Sequence, residues 1–132
     1  MVLKYKNNEY LIIEGQGSLL NPGSTATLPL MRGSCPTALV LCHRLGLRVV
    51  ESETKILIPP LEQVISLNEQ LVTGLNSFPT AKVKAVALDT RGYDHASAIN
   101  EISKMEDKLN LPVTDPVRFS AKKIANALIY LN

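Results

Sequence analysis

Two short, almost uninterrupted apolar runs constrain the fold of this chain more than any other feature of its sequence. They cover residues 38–42 and 83–88, and polar residues follow each of them directly. Segments with apolar residues at three- and four-residue spacing lie between and after them. A continuous apolar run is typical of a strand that helices cover on both faces of a parallel sheet. The pattern therefore predicts βαβ crossovers.

Extending this interpretation along the chain predicts a complete set of elements. Strands are expected at residues 10–14, 38–42, 83–88 and 111–115, with two short extended pieces at 47–50 and 55–58. Helices are expected at 27–32 (closed by Gly33), after Pro60, after an N-cap at Asp94, and after a cap at Ser120. Their apolar stripes include Leu75 and Leu131. The predicted fold is a single α/β domain over residues 1–132, a three-layer sandwich whose mostly parallel sheet has about four or five strands.

Composition excludes several classes of protein. Lys and Arg number 14 against 12 Asp and Glu, a net charge of +2 that gives no support to nucleic-acid binding. The apolar stretches are far too short for a membrane span, and the first residues do not resemble a signal peptide. Two cysteines, Cys35 and Cys42, fit a reduced compartment. The sequence thus predicts a cytoplasmic protein that contacts neither nucleic acid nor membrane.

The polar residues that follow the predicted strands are the candidate site. In an open parallel sheet, ligands bind beyond the carboxyl ends of the strands, so residues that follow different strands meet at one edge. Candidates for catalysis are Glu14, His43 and Asp89; candidates for cofactor binding are Gly15, Gln16, Gly17, Ser18, Arg44, Arg91, Asp115 and Arg118.

These residue types suit the binding and transfer of anionic groups. Carboxylates and an imidazole accept protons, guanidinium groups hold phosphate or carboxylate, and paired glycines let a backbone approach a phosphate closely. Glu14 also has the chemistry to hold Mg²⁺. Each has a simpler alternative: a solvated turn residue for Glu14, a polar strand cap for His43, surface ion pairs for the arginines, and helix capping for Asp89 and Asp115.

Two further motifs bear on the chemistry. Cys35, Cys42 and His43 have zinc-ligand side chains, but neighbouring strand residues point to opposite faces, so no metal site is predicted. The 132 residues contain no G-x-x-x-x-G-K-[ST] segment, the usual phosphate cradle of a nucleoside triphosphatase.

Several segments, in order, resemble one known family. They are EGQGSL at 14–19, GSCPTALVLCH at 33–43, IPPL at 58–61, LNEQL at 67–71, ALDTRG at 87–92 and LPVTDPVRF at 111–119. Together they resemble the carboxy-terminal part of the D-glutamate N-acetyltransferase family, which has a P-loop NTPase-like fold. The EGQG segment is also similar to dethiobiotin synthetase and its P-loop relatives.

The resemblance implies acetyl-CoA as donor and the amine of an amino acid as acceptor. It also implies that Glu14, Gln16 and Ser18 lie near the pyrophosphate, and that His43 and Asp89 face the acceptor or transfer protons. Asp89 departs from the family pattern, in which Asn is commoner before T-R-G. Family members carry further sequence before this segment, including the strand and helix of the P-loop.

The resemblance leads us to expect a partial module that needs the rest of the enzyme for activity. A second chain or a homo-oligomer would supply or cover what is missing. The alternatives are a non-catalytic nucleotide- or CoA-binding module and a structural remnant that oligomerises through an exposed sheet edge.

Overall fold

The described part of the chain forms an α/β fold on a parallel sheet. A computed structural model describes residues 7–15, 17–50, 55–74 and 76–129. The predicted stripe residues Leu75 and Leu131 and the candidate Gln16 lie outside these ranges. In chain order the elements are α1 (Thr27–Ser34), β1 (Ala38–Arg44), α2 (Leu61–Thr73), β2 (Lys82–Asp89), α3 (His95–Leu109), β3 (Val113–Thr114) and α4 (Lys122–Ile129).

The sheet has the order β1-β2-β3, and both strand pairs are parallel. The register of β1 and β2 sets Arg44 opposite Asp89, with one irregularity at Leu39/Val40. In β3, Thr114 pairs with Ala87. The predicted α/β class and parallel sheet are confirmed, and because all strands run the same way, their carboxyl ends lie at one edge.

Aliphatic side chains from β2, β3 and α3 form the core. Its buried members are Val86, Leu88, Ile102 and Val113, and partly buried residues such as Leu41 and Phe119 pack around them. An exposed ion pair connects α2 with α3, since Lys108 Nζ is 3.2 Å from Glu62 Oε1. A packed aliphatic core therefore holds the three strands of the sheet in place.

Capping residues account for most helix boundaries. Asp94 accepts a hydrogen bond from Ser97 N–H at the start of α3, as predicted. Helix α2 ends at Gly74, which has left-handed backbone angles that glycine adopts readily. Ser120 Oγ accepts a bond from Lys122 N–H before α4, which agrees with its predicted capping role.

One predicted element and one predicted helix boundary were wrong. Residues 10–14 do not form a strand, because they lie outside the sheet of the described residues and no neighbouring strand there pairs with them. Helix α1 does not stop at Gly33: its left-handed residue is Cys35 (φ 45°), whose N–H bonds to Arg32 O. Pro36 limits the helix on this side, because helices usually end at or before the residue that precedes a proline.

The region between β1 and α2 contains the two short extended pieces that the sequence predicts. Val49 and Leu57 form an antiparallel bridge, and Ile58 N–H donates to Arg48 O at 2.9 Å. In the ranges that the structure covers, no helix has the length and hydropathy to span a membrane.

Candidate functional site at the carboxyl edge of the sheet

The register of β1 and β2 sets three of the predicted site residues at the ends of adjacent strands, with His43 on one face of the sheet and the paired Arg44 and Asp89 on the other. His43 pairs with Leu88 in the ladder, and Arg44 pairs with Asp89. The backbone continues this contact beyond the strands, because Leu45 N–H donates to Asp89 O at 2.9 Å. An imidazole, a guanidinium group and a carboxylate therefore end adjacent strands at one edge.

Asp89 is engaged by Arg91, two residues further on. Arg91 Nε lies 2.8 Å and Nη2 2.6 Å from Asp89 Oδ2, and Arg91 N–H donates to Oδ1. These hydrogen bonds, with the positive charge of Arg44 adding to them, hold the pKa of Asp89 below its ordinary value. Asp89 is therefore a carboxylate at neutral pH, and a weak base.

Arg91 is more exposed than its partner Asp89. Its side chain is 80% exposed, whereas that of Asp89 is 30% exposed. An exposed arginine–aspartate pair contributes little to stability because water screens it. The guanidinium group can therefore exchange its contact with Asp89 for an incoming phosphate or carboxylate at small cost.

Asp115 has a different environment, since it is buried just after β3. Its Oδ2 accepts from Thr90 N–H (3.0 Å) and from the Thr90 hydroxyl (2.5 Å). Its Oδ1 accepts from the N–H groups of Val117 and Arg118, each at 3.0 Å. Desolvation acts to raise the pKa of Asp115, but these four donors outweigh it and the pKa is lowered.

Arg118 and Tyr93 join the loops that follow the three strands. Arg118 Nη1 donates to the carbonyl oxygens of Tyr93 (2.9 Å) and Asp94 (3.3 Å). The Tyr93 hydroxyl lies over Gly46, where a Cβ would sit 2.6 Å from the hydroxyl oxygen, and Gly46 has a φ of +79° that suits glycine. Asp115 and Arg118 thus use their polar groups to hold the loops in place.

His43 lies half-buried on β1, and desolvation lowers its pKa below the ordinary 6.5. It is therefore neutral at pH 7, with a ring nitrogen able to accept a proton. Partial burial of the thiol of its neighbour Cys42, then the negative charge of Glu14, raises the pKa of that thiol. His43 is thus the better proton acceptor at this edge.

The glycine segment lies against the start of α1. A Cβ at Gly17 would be 2.1 Å from Thr27 Oγ1, and one at Gly15 would be 3.3 Å from Leu30 Cδ2. Ser18 N–H donates to Ser24 Oγ at 3.2 Å. Glu14 is exposed, and its negative charge helps to raise the pKa of the Cys42 thiol.

Sequence reasoning missed three residues that shape this edge: Gly46, Thr90 and Tyr93. The position of Thr90, directly after the buried end of β2, was a usable signal because a buried hydroxyl there needs a partner. The contact between Gly46 and Tyr93 joins residues distant in sequence, and no local pattern indicates it. Two surface depressions lie away from this edge, one lined by residues that include Arg32 and Phe78 and the other by residues that include Asn110 and Lys123.

Comparison with known proteins gives a consistent family. Residues 1–125 match a family model described as "Domain of unknown function (DUF1611_C) P-loop domain". The crystal structure of a DUF1611 family protein from Anabaena variabilis ATCC 29413 superimposes with a TM-score of 0.93 at 46% identity. That alignment covers 97% of this chain and 38% of the other.

Two curated relatives carry the name D-glutamate N-acetyltransferase. The protein from Tritonibacter scottomollicae is 29% identical over 118 residues, which is 89% of this chain and 35% of the relative. The protein from a Pseudoalteromonas species is 31% identical over 108 residues, 81% of this chain and 32% of the relative. The chain thus spans about a third of their length, and the family match identifies it as a member of the DUF1611 carboxy-terminal P-loop domain family.

Proposed function

We propose that this chain is the acetyl-CoA-binding module of an N-acetyltransferase that acts on an amino acid such as D-glutamate. Two relatives that match more than four-fifths of the chain carry the name of such an enzyme. Because the chain spans about a third of each, catalysis in this proposal needs the remainder of the family protein, in the same chain or a second one.

One observation carries the proposal: a neutral imidazole and an exposed guanidinium group lie at the same edge of the sheet. His43 has a lowered pKa, and Arg91 is engaged only by its neighbour Asp89 among the hydrogen bonds described for it. Acetyl transfer needs both functions. A base takes a proton from the amine, and cations bind the phosphates of CoA or the carboxylates of an amino acid.

The proposed reaction is the transfer of an acetyl group from a thioester to an amine. The neutral amine nitrogen of the acceptor attacks the thioester carbonyl carbon, a C–N bond forms, and the C–S bond breaks to release CoA as a thiolate. His43 takes the proton that the amine loses. Glu14, Gly15, Gln16, Gly17 and Ser18 are proposed to lie near the pyrophosphate, with Mg²⁺ at Glu14 as an option.

The hydrogen bonds of the remaining residues support different proposed roles for them. Arg44 and Arg91 are the proposed anion contacts. Asp115 and Arg118 support the site through Thr90 and Tyr93 rather than through the ligand, since their polar atoms bond to these neighbouring loops.

A non-catalytic CoA-binding role is the second candidate. The observation that favours it is the state of Asp89, which Arg91 holds through both carboxylate oxygens and whose pKa is lowered. Such a carboxylate accepts a proton poorly, so a reaction that depends on Asp89 as base would not run.

A thermal-shift titration with acetyl-CoA tests the proposal, with Mg²⁺-ATP and D-glutamate as comparators. A ligand at 100 times its Kd stabilises the folded state by about 2.7 kcal/mol, which raises Tm by several degrees. Acetyl-CoA is expected to do so selectively. Stabilisation by Mg²⁺-ATP alone, or by none of the three, would contradict the proposal.

A matched pair of charge variants locates the contact. Arg91→Gln and Lys104→Gln each remove an exposed cation with a carboxylate partner at 2.6 Å. Only Arg91→Gln is expected to weaken acetyl-CoA binding, by about tenfold, since one charge-assisted contact is worth about 1.5–3 kcal/mol. Equal effects of the two variants would remove Arg91 from the site.

A further inference from the structure

Asp89 occupies one side of the Arg91 guanidinium group. Arg91 Nε donates to Oδ1 at 3.0 Å and to Oδ2 at 2.8 Å, and Nη2 donates to Oδ2 at 2.6 Å. The N–H groups on Nη1 take no part in this pair, because a guanidinium group has more donors than one carboxylate uses. An anionic group of a ligand that binds to them therefore lies close to a carboxylate of the protein.

The Asp89 carboxylate is charged when such a ligand arrives. Hydrogen bonds from Arg91, with the positive charge of Arg44 adding to them, hold the pKa of Asp89 below its ordinary value. The single positive charge of Arg91 is thus shared between Asp89 and the ligand. Each further negative charge on the bound group is repelled by Asp89, at a distance where this repulsion is strong.

The backbone keeps Asp89 in this position even when the Arg91 side chain moves. Arg91 N–H donates to Asp89 Oδ1 at 3.0 Å, and Leu45 N–H donates to the Asp89 carbonyl oxygen at 2.9 Å. Rotation of the guanidinium group towards a ligand leaves both of these bonds in place. Asp89 therefore stays beside the anion that Arg91 binds.

We infer that Asp89 determines which phosphates Arg91 accepts, favouring a bridging phosphate such as those in the pyrophosphate of CoA over a terminal phosphate such as that of ADP or ATP. A bridging phosphate carries a single negative charge, whereas a terminal one carries about two at pH 7. Repulsion by a like charge is a common means by which a site rejects the wrong ligand. The inference rests on the proposed function, since it places the CoA pyrophosphate at Arg91.

Two ligands, tested without divalent metal, isolate the charge of the phosphate. Dephospho-CoA and ADP contain the same adenosine diphosphate, but the second phosphate is esterified to pantetheine in dephospho-CoA and terminal in ADP. Both lack the 3′-phosphate of CoA. Isothermal titration calorimetry gives the Kd of each ligand for the 132-residue chain and for Asp89→Asn. The contribution of pantetheine cancels, because each ligand is compared with itself between variants.

The wild type is expected to bind dephospho-CoA more tightly than ADP. Asp89→Asn is expected to improve the binding of ADP about tenfold more than that of dephospho-CoA, because a nearby charge acts most on the more highly charged phosphate. An amide oxygen at this position can still accept the bond from Arg91 N–H. The substitution thus removes the charge and preserves the shape of the site.

Glu101→Gln is the matched control. Glu101 pairs with Lys104 at 2.6 Å and is 34% exposed, close to the 2.6 Å and 30% of Asp89 beside Arg91, and its loss changes the net charge equally. Only Asp89→Asn is expected to reduce the preference for dephospho-CoA. An unchanged preference in Asp89→Asn, or the same change in Glu101→Gln, would overturn the inference while leaving the proposed function intact. If neither acetyl-CoA nor dephospho-CoA binds to the wild type, the proposed function fails and the inference fails with it.

Discussion

Replacing Asp115 with alanine should destabilise the fold more than its position in a loop would indicate. Asp115 accepts four hydrogen bonds, and two of them come from Thr90, which is 0% exposed. Water cannot reach those two donors in the variant, whereas it can replace the bonds to the exposed Val117 and Arg118. An unpaired buried donor costs about 1–3 kcal/mol, so the loss should be roughly 2–6 kcal/mol.

Urea denaturation followed by circular dichroism measures this loss. A decrease of about 3 kcal/mol would lower Tm by roughly 10 °C in a domain of this size. Asp94→Ala is the matched control, because Asp94 also accepts two bonds from one residue, Ser97, but is exposed. If Asp115→Ala loses no more stability than Asp94→Ala, burial of the Thr90 donors is not what makes Asp115 important.

The pH dependence of stability tests the same contacts independently. Because the folded pKa of Asp115 lies below its ordinary 3.8, the carboxylate stabilises the fold above that pH. The contribution is lost as pH falls from 3.8 through the lower folded value. The difference in unfolding free energy between wild type and Asp115→Asn should therefore shrink in this acid range, and a constant difference would contradict the reasoning.

Two other predictions concern the loops and the histidine. Gly46→Ala should destabilise the fold more than Gly92→Ala. Both glycines have a positive φ, so an alanine at either position costs about 1–2 kcal/mol in backbone strain. Only a Cβ at position 46 also meets the Tyr93 hydroxyl, at 2.6 Å. Tyr93→Phe should remove the difference, and equal losses in urea denaturation would refute the contact. His43 should titrate below pH 6.5 by NMR, with folding stability lost as pH falls through that range; a pKa of 6.5 or above would contradict its desolvation.

The sequence predicts what depends on local pattern and burial. Residues 38–42 and 83–88 were predictable as strands because a short, continuous apolar run is typical of a strand covered on both faces. Asp94 was predictable as the cap of α3 because its carboxylate can accept a hydrogen bond from the N–H of Ser97. The parallel order then places His43, Arg44 and Asp89 at one edge without further information.

The features that the sequence could not predict depend on contacts between residues that are distant in the chain. Residues 10–14 have the composition of a strand, yet a strand also needs a neighbour for its backbone, and composition does not specify one. Asp115 is placed correctly at a strand end, but only the folded structure reveals that Thr90, Val117 and Arg118 already use both of its oxygens.

Mapping acetyl-CoA onto the chain by NMR tests the central claim most directly. Backbone amide shifts recorded during a titration of the ¹⁵N-labelled chain identify the residues that contact the ligand. The account predicts the largest changes at the carboxyl edge, at His43, Arg44 and Arg91. Shift changes concentrated at the surface depression lined by Arg32 and Phe78, or no saturable changes at all, would contradict the claim that this edge binds acetyl-CoA.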